Sequence, residues 1–336
     1  MPRKILGLLL FSFLALLVRA EDAKSCDALE AQLKTDAASV ELHQKLIECY
    51  FHAEIQSPSR RKEIEKERAA QVLWLVQHAP ESKFAGSGSM SIDYYSYPGD
   101  YAEIKNAWME QVKAHAKNAQ VLANAARFLR SREDQARAEE LASNAHSLDP
   151  HNVDAASTLA HLYHLKAISN PAQKSQLASQ SLQLREQMLN ELSPAEKPRQ
   201  LQEAATDAFD AGDHAKAKRY AEQLLELAQE KPANMGDAIH QGNLVLGRLA
   251  LRGGNVEEAK TRLLAAGKTP GSPVLGSFGP NMTLAKELLE VHQTEAVLQY
   301  FDECAKFWKS HENTLEGWRE AVRDGKVPDF GNNLIY

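Results

Sequence analysis

Four histidines, His146, His151, His161 and His164, form the set of side chains best suited to hold a metal or move a proton. His161 and His164 stand one helical turn apart and could share an ion. A zinc protease would need His-Glu-x-x-His and a covalent haem Cys-x-x-Cys-His, and the chain has neither string. No neighbouring carboxylate or cysteine completes a ligand set, so neither metal nor cofactor is expected. Ser87 in "GSGSM" invites a nucleophile reading. A nucleophile elbow needs glycines two residues away on each side and a preceding strand, and neither is present, so no catalytic residue is assigned.

Cysteine chemistry depends on compartment, and the N-terminus speaks to that. Arg3 and Lys4 precede an apolar run from Ile5 to Val18, which is short for a membrane span. Val18-Arg19-Ala20 then supplies small residues on the near side of a cut after Ala20. Residues 1–20 therefore read as a signal peptide, and the chain as exported, periplasmic or extracellular after cleavage. Contact with a membrane is expected only through that segment while uncleaved. In an oxidising compartment Cys26 and Cys49 are expected to pair. They bracket two short helical patterns joined by a turn near Thr35 to Ala38, and in an antiparallel hairpin the sulfurs meet at the open end. Cys304 reads as packing.

The 336 residues are 43% hydrophobic and 25% charged, with a formal net charge of −6. No basic stretch follows the sort of pattern that grips a phosphate backbone, so nucleic acid is not an expected partner. The apolar residues follow helical spacing, and nothing alternates with a period of two. In "QVLANAARFLRS", Leu122, Ala125, Ala126 and Leu129 share one face. Ala138, Ala145 and Leu148 share the facing side of the next helix, which Pro150 then stops. The arrangement recurs with Leu159, Ala160 and Tyr163; with Leu201, Ala204, Ala205, Ala217, Ala221 and Leu224 around a Gly212-Asp213 turn; and with Leu246, Gly247, Ala259 and Ala266 around Gly253-Gly254. Leu284, Ala285, Leu288 and Ala296 make a further unit, while "NPAQKSQLASQSLQLREQML" fits poorly.

Small residues at facing positions, closed by proline in a unit of about 34 residues, resemble the tetratricopeptide repeat. The stretches "GPNMTLAKELLE" through "VPDFGNNLIY" also look similar to uncharacterised exported bacterial repeat proteins, a likeness that carries no activity with it. The resemblance implies an all-α, right-handed α-solenoid of antiparallel helical hairpins. Residues 21–310 would form the array, with loop insertions at 84–101 and 267–281, and residues 311–336 a capping helix and tail. The Gly, Ser and Tyr content of 84–101 speaks against a helix there. Each insertion is either functional or a cover folded over a helix pair. "GSFGPNMTLAKELL" puts a turn before a helix, with Asn281 or Thr283 as its cap.

In such arrays two positions of each first helix point into a concave groove. The resemblance puts Arg127, Arg130, His161, His164, Thr206, Phe209, Arg248 and Leu251 there, flanked by Gln202 and Arg252. It thus implies a scaffold or adaptor, not an enzyme, that binds a protein or peptide, with an acidic segment favoured by the guanidinium groups. The other readings are a hydrolase or lyase on glycan or peptide, with a site built from the two loops, and a structural subunit of an envelope complex.

Overall fold

The structure, a computed structural model, describes residues 26–130, 134–230 and 235–335. The segment read as a signal peptide lies outside the described residues, and among those described no helix is long and apolar enough to cross a membrane. They contain helices and turns and no strand. A helix at 26–33 (α1) is followed by α2 Val40–Gln56, α3 Arg61–His78, α4 Pro98–Ala114, α5 Ala119–Phe128, α6 Gln135–Leu148 and α7 Val153–Ser169. Then come α8 Lys174–Leu189, α9 Lys197–Ala211, α10 His214–Glu230, α11 Gly236–Arg252, α12 Val256–Gly267, α13 Pro273–Phe278, α14 Thr283–Glu290, α15 Thr294–Cys304 and α16 Glu312–Arg323. The chain divides inside α7 into two compact units, one ending at Leu159 and one beginning at Ala160.

Short-range chemistry starts and stops these helices as expected. The Ser39 side chain accepts the Leu42 N–H at the head of α2, and Asn118 accepts from Gln120 and Val121 at the head of α5. Gly212, at φ +86°, ends α9 in the left-handed region that an L side chain rarely enters. Neighbouring helices then pack in antiparallel pairs, α2 with α3 and α5 with α6 in the first unit, α9 with α10 and α11 with α12 in the second. The alanines singled out by spacing, among them Ala125, Ala126, Ala138, Ala145, Ala204, Ala205, Ala217, Ala221, Ala259 and Ala266, are all fully buried. Gly247 serves the same purpose: a methyl group there would meet Leu284 and lie 3.0 Å from Cβ of Arg262. Leu148, expected on the same face as Ala138 and Ala145, is instead 48% exposed, because α6 ends there.

Cys26 and Cys49 form a disulfide with their Cα atoms 5.8 Å apart. The Tyr50 hydroxyl donates to Glu30 at 2.6 Å and joins α1 to α2 beside it. Replacing both cysteines by serine is expected to lower the stability of this hairpin by about 2 kcal/mol, through restored freedom of the unfolded segment. Faster hydrogen exchange over 26–56 would register the loss, and unchanged exchange would refute it.

Both insertions are folded onto their own units. The first is more ordered than its composition implies. It holds the 3-10 turns Lys83–Gly86 and Gly88–Met90, and Pro98 to Tyr101 are already the first turn of α4, with proline where its missing N–H costs nothing. Ala85, Met90 and Ile92 are buried. Asn124 Nδ2 donates to the carbonyls of Pro80 and Ser82 at 2.8 and 2.9 Å. Tyr101 is buried and stacks on Phe128, whereas Tyr95 is left exposed. In the second insertion Thr269 Oγ1 donates to Gly236 O at 2.8 Å, Ser272 Oγ to Asp237 at 2.7 Å, and the buried Asn281 accepts from Thr283 N–H at 2.9 Å; the N-cap of α14 is Met282 and not Asn281 or Thr283, so Asn281 turns the chain one residue ahead of that cap. The fully buried His240 joins α11 to both sides: its Nδ1 lies 3.1 Å from Ala266 O and its Nε2 accepts from the Asn281 N–H at 3.1 Å. Burial pushes this imidazole down to about 4.

Helix α16 buries Leu315, Trp318 and Val322 against Phe301 and Trp308. The tail then returns: Phe330 is buried against Trp318 and Phe301, Met282 N–H donates to Asn333 O at 2.7 Å, and Asn333 Nδ2 donates to Phe278 O and Pro280 O.

Candidate functional site

The first helices of the hairpins carry the expected inner residues, but those residues do not stand as bare cations. In the first unit Arg127 Nη1 lies 3.5 Å from Asp154 Oδ1, and Arg127 and Arg130 border a small cleft closed by Gly86, Gly88 and Met90 of the first insertion. That insertion therefore lies over the face on which these arginines were expected to meet a partner.

In the second unit, side chains from four helices converge. His164 on α7, Thr206 on α9, Gln241, Val245 and Arg248 on α11 and Thr283 on α14 line a cavity of about 340 Å³, which the tail residues Leu334 and Ile335 also border. Every titratable member that was anticipated has a partner within the chain. His164 Nδ1 is 2.7 Å from Asp207 Oδ1. Arg248 makes a two-pronged contact with Glu287 at 2.9 to 3.2 Å, and its guanidinium lies 4.1 Å from the centre of the Phe209 ring. Arg252 reaches the same carboxylate more loosely, at 3.9 Å. Lys174, also at the cavity, is 2.8 Å from Asp210. Thr206 Oγ1 accepts from Gln241 Nε2 at 2.8 Å and donates to the backbone oxygen of Gln202. The expected residues His164 and Arg248 thus share one cavity, Arg252 and Gln202 adjoin it through partners, and His161 is not among its lining residues.

What holds His164 is a carboxylate that no motif in the sequence marks. Asp207 is 1% exposed, and Ser181 Oγ (2.5 Å) and Arg185 Nε (2.7 Å) reach its second oxygen. Burial pulls Asp207 toward the neutral acid, yet the hydrogen bond from His164 and the charge of Arg185 hold its carboxyl below the usual range. Arg185 continues to Gln200 at 2.9 Å and to Glu203. A signal was available in the poorly fitting segment. Ser181 and Arg185 occupy positions of α8 where apolar residues would otherwise pack, and both are buried.

Paired hairpins with small facing residues, and a lined face on the first helices, define the fold: an all-α array of helical hairpins like that of tetratricopeptide repeats. No protein-family model matches the chain, and no curated protein matches it. Among solved structures it is similar to the human IFIT1 dimer with PPP-AAAA, a structure of a TPR-containing helical repeat protein. Identity is 14%, the TM-score 0.50, and the match covers 90% of this chain and 68% of that one, a likeness of fold.

Proposed function

We propose that the chain is an exported scaffold that binds a protein or peptide segment along the first-helix face of its second unit. The observation that carries this reading is the cavity into which α7, α9, α11 and α14 each send side chains. Fixed hydrogen-bonding groups on stacked helices can read an extended segment without reorganising. An acidic residue of the partner is favoured at one end. There Arg248 and Arg252 share the single carboxylate of Glu287, so the three side chains sum to one positive charge. At the other cations a carboxylate of the chain already answers, and recognition there rests on directional hydrogen bonds. The disulfide and the pattern of residues 1–20 support export.

Capture from the native exported compartment, with residues 21–336 as bait, tests the reading. A Thr206→Trp chain, its cavity filled, should lose the partner held by the parent chain. Equal capture by both would place binding elsewhere. Against the captured partner, Arg252→Ala is expected to weaken binding roughly 3- to 10-fold and to reduce the dependence on salt, since the exposed guanidinium contributes modestly. An unchanged salt slope would reject the acidic contact.

A further inference from the structure

Glu65, on α3 of the first unit, is 1% exposed, and neither of its carboxylate oxygens meets a hydrogen-bond donor among the described residues. A buried carboxylate left in this state is costly. Arg68, one turn along, does not relieve it. Its Nε and Nη2 go to Glu54 at 2.5 and 3.3 Å, and its Nη1 donates to Ser89 O and Ser91 O at 2.7 and 2.8 Å. A second acid, Asp100 in the first turn of α4, stands within reach of a hydrogen bond from the Glu65 carboxyl when that is protonated. Burial, together with the charge of Asp100, pushes Glu65 up to about 7, with Arg68 opposing and Glu54 adding to the rise.

Glu65 and Asp100 line a cavity of about 430 Å³, with Tyr97 as an aromatic wall and Lys62 and Lys66 also lining it. Both lysines are exposed, and Arg60 and Glu63, which also line the cavity, pair with each other at 3.1 Å. The cavity is therefore acidic in its buried wall and basic at its mouth. A divalent metal does not fit this polarity. Two carboxylates are too few, no group of three metal-ligating side chains occurs among the described residues, and the lysines would repel the ion.

We propose that this cavity binds a small amino-acid-like zwitterion, with its ammonium group inward on Glu65 and Asp100 and its carboxylate outward on Lys62 and Lys66. An ammonium group brings three donors, which suits the Glu65 oxygens that meet none and the carboxylate beside them, and its charge replaces the proton held by Glu65. Binding therefore releases a proton, and affinity rises as pH increases through the range in which Glu65 of the free chain gives that proton up.

Calorimetric titration of the full chain tests this with L-alanine and 4-aminobutyrate as zwitterions, and 1-aminobutane and butyrate as the two half-ligands. Titrations at pH 6.5 and 8, in buffers of different ionisation heat, count the proton. The expected result is saturable binding of at least one zwitterion, tighter at pH 8, with proton release at pH 6.5 and both half-ligands at least ~10-fold weaker. Glu65→Gln and Asp100→Asn should each weaken the zwitterion by at least ~10-fold while the helical circular dichroism and melting temperature are retained. Absence of saturable binding by both zwitterions, equal binding of a half-ligand, or unchanged affinity in both folded variants would overturn the proposal.

Discussion

Asp207→Ala is expected to destabilise the second unit by about 3 to 5 kcal/mol, because it leaves Arg185 buried without its buried carboxylate partner. Arg185 is 1% exposed, and its Nη2 already lacks a partner, so little remains to compensate it beyond Glu203 and Gln200. The same change frees the His164 ring, whose orientation at the cavity depends on Asp207. Urea unfolding of the single variant measures the loss. The double variant Arg185→Met with Asp207→Leu separates charge from packing: removing both ions removes the desolvation cost as well, so most of the stability should return. A double variant as unstable as the single would mean that the network matters through shape and not through paired charge.

Acid is expected to cost the second unit about 3 kcal/mol through His240. In the fold this imidazole stays neutral down to about 4, against an ordinary value of 6.5. The unfolded chain therefore binds the extra proton first. The contribution is complete above pH 6.5 and is lost as pH falls toward 4. Glu65 has the opposite sign. Its folded value of about 7 lies above the ordinary 4.5, so the folded first unit holds the proton more tightly. Stability there is greatest below 4.5 and declines as pH rises toward 7, by about 2 kcal/mol once screening by water in the adjoining cavity is allowed for. Hydrogen exchange at pH 5 and 8 resolves the two. Protection in α11 and α12 should fall at pH 5, and protection in α3 and the first turn of α4 should fall at pH 8. Glu65→Gln should flatten the second trend and leave the first intact. Parallel trends in all four helices would refute the assignment.

What could be read from the sequence divides along physical lines. The hairpins were legible because a close helix contact demands small residues at fixed spacing, and Ala138, Ala145, Ala217 and Ala221 satisfy that demand locally. The disulfide was legible because an antiparallel hairpin brings its two ends together. The inner residues His164 and Arg248 followed from the repeat frame. Their carboxylate partners did not, since Asp207 and Glu287 lie 43 and 39 positions away and only packing brings them there. The same holds for the first insertion. Glycine and serine content announced irregular backbone, but nothing in it foretold that Arg68 would bond two of its carbonyls. The register of α8 was obscured for the opposite reason: its repeat positions were given over to the polar network of Ser181 and Arg185.

The stitched tail has a consequence for how the molecule is made. Asn333 holds the carbonyls of Phe278 and Pro280 from 55 and 53 positions later, and Phe330 closes the aromatic cluster of Phe301 and Trp318. Synthesis on the ribosome is vectorial, so these residues appear only after the layer they cover. Earlier hairpins can nucleate on neighbours already present, as repeat units do. The final layer cannot, and until residue 330 emerges it presents Trp318 and Phe301 without their cover. The second unit is therefore expected to complete folding only once Phe330 and Asn333 have emerged, with that aromatic surface as its exposed intermediate and a natural target for a holding chaperone. Tryptophan fluorescence of a chain ended after Asp329 would show it: a red-shifted, quencher-accessible Trp318 is the expected signature, and full-length emission would show that the tail arrives at a layer already closed.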